Sequence, residues 1–214
     1  MPRTDAPTPS SLGLIVLWQL LFEPMHVYRM QKLFEETGKD RVVNVRARAS
    51  LYQAIERLQR HGLVEVAETE RVEGYPDRTV YAITPAGRDT ADEWLREMLH
   101  STDQQYPEFI AALSIMFVLA PEQAMAELEL RADGLAVALD DAESAIADAP
   151  AGLPRLFVLE EEYRAAVLRA ELEWVRGVID DLRTGRLTWS EQWLREVAAT
   201  FMNDDKDEPE GRAR

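Results

Sequence analysis

From Ser50 to Leu63 the chain reads SLYQAIERLQRHGL, with apolar Leu51, Ala54, Ile55, Leu58 and Leu63 recurring three, four or five apart. That spacing draws one apolar stripe along an α-helix. Tyr52, Gln53, Glu56, Arg57 and Arg60 occupy the opposite, polar side. Gly62 follows the last turn, where a left-handed cap favours a residue without Cβ. Upstream, Leu14, Ile15, Leu17, Trp18, Leu21 and Phe22 predict a central packing helix, capped by Ser11 and broken at Glu23-Pro24. A second helix is expected from about His26 to Thr37, with Val27, Met30, Leu33 and Phe34 inward. Val42, Val43 and Val45 suit a short strand.

Downstream, Leu63 to Thr69 and Arg78 to Thr84 are two β-prone runs, with a turn at Gly74-Tyr75-Pro76-Asp77. Thr84-Pro85 opens a helix carrying Ala91, Trp94, Leu95 and Met98. The order helix, helix, helix, hairpin, helix is that of a winged helix-turn-helix. In the second half, Asp103 to Tyr106 reads as a linker and Pro107 to Leu119 as a compact buried helix. A long helix from Pro121 carries Leu128, Leu135, Leu139, Ala142 and Ile146, and breaks at Pro150-Ala151-Gly152. Another, from about Pro154 to Arg183, carries a stripe of Leu156, Leu159, Tyr163, Val167, Ala170, Trp174, Val178 and Leu182. Thr188 and Glu191 suit a capping box for a final helix striped by Trp193, Val197 and Phe201. The expected fold class is therefore mainly α with a small β-hairpin wing. Its parts are a disordered 1–11, a winged domain at 12–101, a helical domain at 102–186, an added helix at 187–202 and an acidic disordered tail at 203–214.

Charge first argues against a nucleic-acid partner, because the 214 residues carry a net −15. Its distribution softens the argument. Residues 1–100 hold 13 basic and 15 acidic side chains, net −2, whereas 101–214 hold 11 and 24, net −13. Lys39 to Arg60 holds six basic residues against Asp40 and Glu56, so 6 − 2 = +4. Screening confines the relevant field to about 10 Å at ordinary salt, so a locally cationic head can serve an acidic chain. No run of about 18 apolar residues predicts a membrane span. The absence of cysteine fits a cytoplasmic location. His26, His61 and His100 lack ligand spacing, no nucleophile or phosphate-cradling motif appears, and neither a cofactor, a metal nor an enzyme is expected.

Four segments then carry a resemblance: PMHVY (Pro24 to Tyr28), SLYQAIERLQRHGLVE (Ser50 to Glu65), RTVYAITPAGR (Arg78 to Arg88) and EEEYRAAVLRAELEWV (Glu160 to Val175). Over roughly residues 12–186 the chain resembles the PadR family of bacterial transcriptional regulators. It departs from the family pattern at Val27, where glycine is common, and at Ala47-Arg48-Ala49, where a Ser-Pro-Gly-like turn is common. The resemblance implies a repressor that dimerises through its C-terminal helices and is released by a small aromatic effector.

On this reading Ser50, Tyr52 and Gln53 face base edges or nearby phosphates of an operator duplex, Gln53 having the amide that pairs bidentately with adenine. Arg46, Arg48 and Arg57 meet phosphates, Tyr28 and Lys32 touch the backbone, and Arg71 and Arg78 lie along a groove from the wing. Trp18, Trp94, Phe109, Phe117, Tyr163 and Trp174 are the candidate effector-lining aromatics. Leu128, Leu135, Leu139, Leu156, Tyr163, Val167, Ala170, Trp174 and Val178 are the candidate homodimer interface. The rival reading is a winged helix that binds a protein, with DNA binding lost.

Overall fold

The computed structural model describes residues 7–39, 43, 48–70, 78–102 and 107–203. The chain divides into two compact units between residues 104 and 105. Among the described residues helices dominate, with one small antiparallel sheet.

In the first unit α1 spans Ser11–Leu20. Its cap is Ser10, one residue before the expected Ser11: the Ser10 hydroxyl accepts from the Gly13 N–H at 3.2 Å. Met25–His26 then forms β1, a two-residue strand pairing with Tyr81 and Val80. Two residues are too few to show a period of two, which is why the sequence pattern missed it. Helix α2 spans Val27–Glu36 and is capped by an imidazole, His26 Nδ1 accepting from the Arg29 N–H at 3.0 Å. Val43 is buried in the core at a bend rather than in a strand; Val42 and Val45 lie outside the described residues.

Helix α3 spans Arg48–Arg60 and puts Leu51, Ile55 and Leu58 into the core. Gly62, at φ +69, closes it. The Leu63 N–H donates to the Leu58 carbonyl and the Gly62 N–H to that of Gln59, both at 2.9 Å, which is a Schellman cap. Strands β2 (Val64–Glu70) and β3 (Arg78–Ile83) pair antiparallel, with a register shift between Val66 and Glu68; the turn expected between them lies outside the described residues. The sheet order is β1-β3-β2. Helix α4 (Pro85–His100) follows from the Thr84 cap, whose hydroxyl accepts from the Gly87 N–H at 3.0 Å and donates to the Gly62 carbonyl at 2.7 Å. One side chain thus ties the start of α4 to the end of α3. The core gathers Val16, Leu17, Leu20, Met30, Phe34 and Trp94 around the buried side of α3.

The second unit begins with α5 (Glu108–Ser114) and a 3₁₀ turn at Met116–Val118, not one buried helix. Phe109 and Met116 turn inward, while Ile110, Ile115, Phe117 and Val118 stay exposed. The Ser114 hydroxyl bonds the Ala111 carbonyl at 2.7 Å, a local partner of the kind that competes with helix continuation. Helices α6 (Pro121–Ala147) and α7 (Leu159–Arg183) run antiparallel, with ion pairs Glu129–Arg183 at 2.8 Å and Glu143–Arg169 at 2.5 Å at opposite ends.

Their shared core corrects the expected stripe. Helix α7 buries Ala165, Leu172, Val175, Ile179 and Leu182 against Leu128, Ala132, Leu135 and Ala142 of α6. Of the expected α7 stripe only Leu182 is buried, with Val178 partly so; Leu156, Leu159, Tyr163, Val167, Ala170 and Trp174 remain exposed. Helix α7 therefore carries two apolar stripes. Periodicity finds stripes but does not say which one meets a neighbour within the same chain. Helix α8 (Glu191–Asn203) is capped by Ser190, whose hydroxyl accepts from the Trp193 N–H at 3.1 Å, not by Thr188. The Trp189 indole donates to the Leu119 carbonyl at 2.8 Å, tying the approach to α8 to the end of the 3₁₀ turn.

Candidate nucleic-acid interface

Helix α3 is a two-sided object. Leu51, Ile55 and Leu58 are at most 2% exposed, while Tyr52 is 55% exposed and Gln53, Glu56 and Arg60 stand in solvent on the other side. Burial of one side fixes the rotation of the helix, so the polar side is presented rather than merely wet. Ser50 is half-buried at the first turn. Arg60 lies seven residues after Gln53, two turns along the same face; it was not among the expected contacts, although its spacing was readable.

Around α3, Tyr28 is 60% exposed at the start of α2, its ring 6.2 Å from that of His26. Lys32 is exposed and pairs with Glu36 at 3.4 Å. Both partners are exposed to solvent, so little free energy holds the pair together. Arg78 is exposed at the start of β3. Arg46 and Arg71 lie outside the described residues, as does the side chain of Arg48. Arg57 is half-buried, and its Nη2 donates to the main-chain carbonyl of Thr8. Behind this surface, burial pushes the Tyr81 phenol above its ordinary pKa; neighbouring Tyr52 adds to the shift and a hydrogen bond with Thr79 opposes it.

The aromatic set expected to line an effector site is dispersed between the two units. Trp94 is a core residue, 3% exposed, beneath α1 at Gly13. Trp18 meets Phe22 edge-to-face at 5.2 Å. In the second unit, Phe109 meets Trp174 edge-to-face at 6.3 Å, and the Arg131 guanidinium sits 3.6 Å above the Phe109 ring. Phe109, Leu113, Met116, Leu128 and Arg131 line a cavity of about 330 Å³. Phe117 instead borders another, of about 510 Å³, with Trp189 and Leu194. Tyr163 is exposed on α7. Within the expected dimer set, Leu128 and Leu135 are occupied by their own chain's core, and Leu139 and Val178 are partly so. Among the described residues no group of three His, Asp or Glu side chains is placed to hold a metal, and no helix is long and apolar enough to cross a membrane.

Residues 16–93, from α1 through most of α4, match the profile of the transcriptional regulator PadR-like family. The chain carries a PadR-like domain. Solved structures extend the likeness of the fold beyond that PadR-like segment. Bacillus subtilis PadR in complex with operator DNA is similar with a TM-score of 0.64 at 14% identity, over 81% of this chain and 99% of that one. The Vibrio cholerae virulence activator AphA gives 0.62 at 20% identity, over 81% and 99%. Bacillus subtilis PadR in complex with p-coumaric acid gives 0.62 at 15% identity, over 80% and 98%. No curated protein matches the sequence. At these identities the structures speak for a shared winged-helix fold with C-terminal helices.

Proposed function

We propose that this chain is a dimeric transcriptional repressor that occupies an operator through α3 and is released by a small aromatic effector. It acts without catalysis, from the cytoplasm. The observation that carries the reading is the presentation of Tyr52 and Gln53 on a helix whose opposite side is locked in the core. A helix so held fits the major groove, and the amide of Gln53 pairs with adenine. Tyr28, Lys32, Arg46, Arg48, Arg71 and Arg78 are assigned to the phosphate backbone, where they position the helix without specifying sequence.

Two copies place two such helices on half-sites about one helical turn apart. The exposed stripe of α7 supports the pairing, because Tyr163, Val167 and Ala170 are left exposed among the described residues and Trp174, which meets Phe109 on one side, is still half exposed. The Phe109-lined cavity supports the effector: about 330 Å³ is within the range that holds small molecules. Fluorescence of Trp174, beside Phe109, is expected to change on titration with phenolic acids; a flat response across the series removes the effector from the proposal.

Binding to the duplex upstream of the protein's own gene, read by fluorescence anisotropy, tests the central reading. Wild type is expected to prefer that duplex over a scrambled one. Gln53→Ala should cost about 1–3 kcal/mol at the operator, roughly 5- to 150-fold, and leave binding to the scrambled duplex unchanged. Equal losses on both duplexes would remove Gln53 from base readout. The net −15 favours the rival reading, a winged helix that docks on a protein. Absence of any salt-sensitive binding to duplex DNA would decide for that rival.

A further inference from the structure

One described cation of α3 is tied to the chain before the first helix. Arg57 Nη2 donates to the carbonyl of Thr8, forty-nine residues away in sequence. Arg57 lies one turn beyond Gln53 on the same side of α3, so this contact brings the segment before α1 alongside the face presented to DNA. That segment reads Pro7-Thr8-Pro9-Ser10. Prolines on both sides restrict Thr8: Pro9 biases it to extended backbone, and each ring fixes its own φ. Ser10 is anchored in turn as the cap of α1. The Thr8 carbonyl is thus a stiff acceptor, held at one end by a helix cap.

A guanidinium has five N–H donors in a planar fork. One donor spent on Thr8 leaves four, and no other partner for Arg57 is found among the described residues. We infer that the Pro7–Ser10 segment is a positioning strap: its Thr8 carbonyl holds the Arg57 fork in place so that the remaining donors meet a backbone phosphate without first being ordered. A free arginine side chain loses rotamer freedom when it binds; one already held has less to lose. This rests on the operator reading above, and it assigns to residues 7–10 a part in DNA binding that their composition alone does not suggest.

A double-mutant cycle on the operator duplex tests it, with affinity measured against salt. The four proteins are wild type, a chain shortened by deleting residues 2–8 so that Ser10 still caps α1, Arg57→Ala, and the combination. The shortened chain is expected to bind about threefold to tenfold more weakly with an unchanged salt slope. Arg57→Ala should lower the slope by about one phosphate contact, and adding the deletion to it should cost nothing further. Arg57→Lys, which keeps the charge without the fork, should match the shortened chain in both affinity and slope. Melting and circular dichroism on all variants verify that each is folded. Unchanged or tighter binding by the shortened chain overturns the inference, as does a combined loss equal to the product of the single ones. Those results leave the operator reading standing. A wild-type chain that binds no duplex removes both.

Discussion

Gly87→Ala is expected to unfold the first unit or bring it close to unfolding. A Cβ at Gly87 would stand 2.1 Å from the Leu63 carbonyl oxygen, 2.8 Å from Ile83 Cγ1 and 3.0 Å from the Leu63 carbonyl carbon. The nearest atom is backbone, and it is not free to retreat. The Leu63 carbonyl accepts from the Thr84 N–H at 3.1 Å, and the Leu63 N–H closes the cap on α3 at 2.9 Å. Moving α4 away instead would strip the Thr84 hydroxyl from Gly62. Overpacking that only bends side chains costs about 1–3 kcal/mol, and a clash with anchored backbone belongs at or above the top of that range. For a unit of this size that corresponds to a melting point lowered by roughly 10–25 °C. Gly134→Ala is the matched control. Gly134 lies inside α6 with nothing within 4 Å of the added Cβ, so alanine should be neutral or stabilise by up to about 1 kcal/mol. A Gly87→Ala protein melting within a few degrees of wild type would mean that the α3–α4 junction is wrongly described.

The second large effect concerns assembly. Tyr163→Glu with Val167→Glu is expected to leave each chain folded and to abolish the proposed dimer. Tyr163 is 73% exposed and Val167 45%, so neither holds the α6–α7 core, which rests on Leu172, Val175 and Ile179 across the helix. In a two-fold pair the same patch meets itself, so each glutamate added to one copy is added to the facing copy too. Sedimentation should change from dimer to monomer. Operator affinity should fall by about 10²–10⁴, because a lone head loses the second, intramolecular binding step. If the doubly substituted protein still sediments as wild type, the exposed α7 stripe is not the interface.

The two substitutions mark different limits of what a sequence reveals. The winged order of helices and hairpin was legible because each element carries its own period and stop signal. Gly62 after Leu58, Thr84-Pro85 before α4 and the alternation around Val64 act within a few residues of themselves. Helix starts slipped by a residue or more where two candidate caps lie close together. Ser10 and Ser11 are adjacent hydroxyls, and only the path of the preceding chain chooses between them. Strand β1 escaped because two residues become a strand only when β3 lies beside them.

In the second unit the sequence determined that α6 and α7 are long, apolar on part of their surface, and in need of cover. It also determined the local cationic character of residues 39–60 within an acidic chain. Tertiary structure alone decided which α7 stripe is spent inside the chain and which is left outside. It moved Trp94 into a core and brought Thr8 to Arg57 across forty-nine residues. The division has a physical cause. Periodicity, capping and turn chemistry are interactions between near neighbours, whereas the choice among equally apolar faces depends on the shape of whatever packs against them.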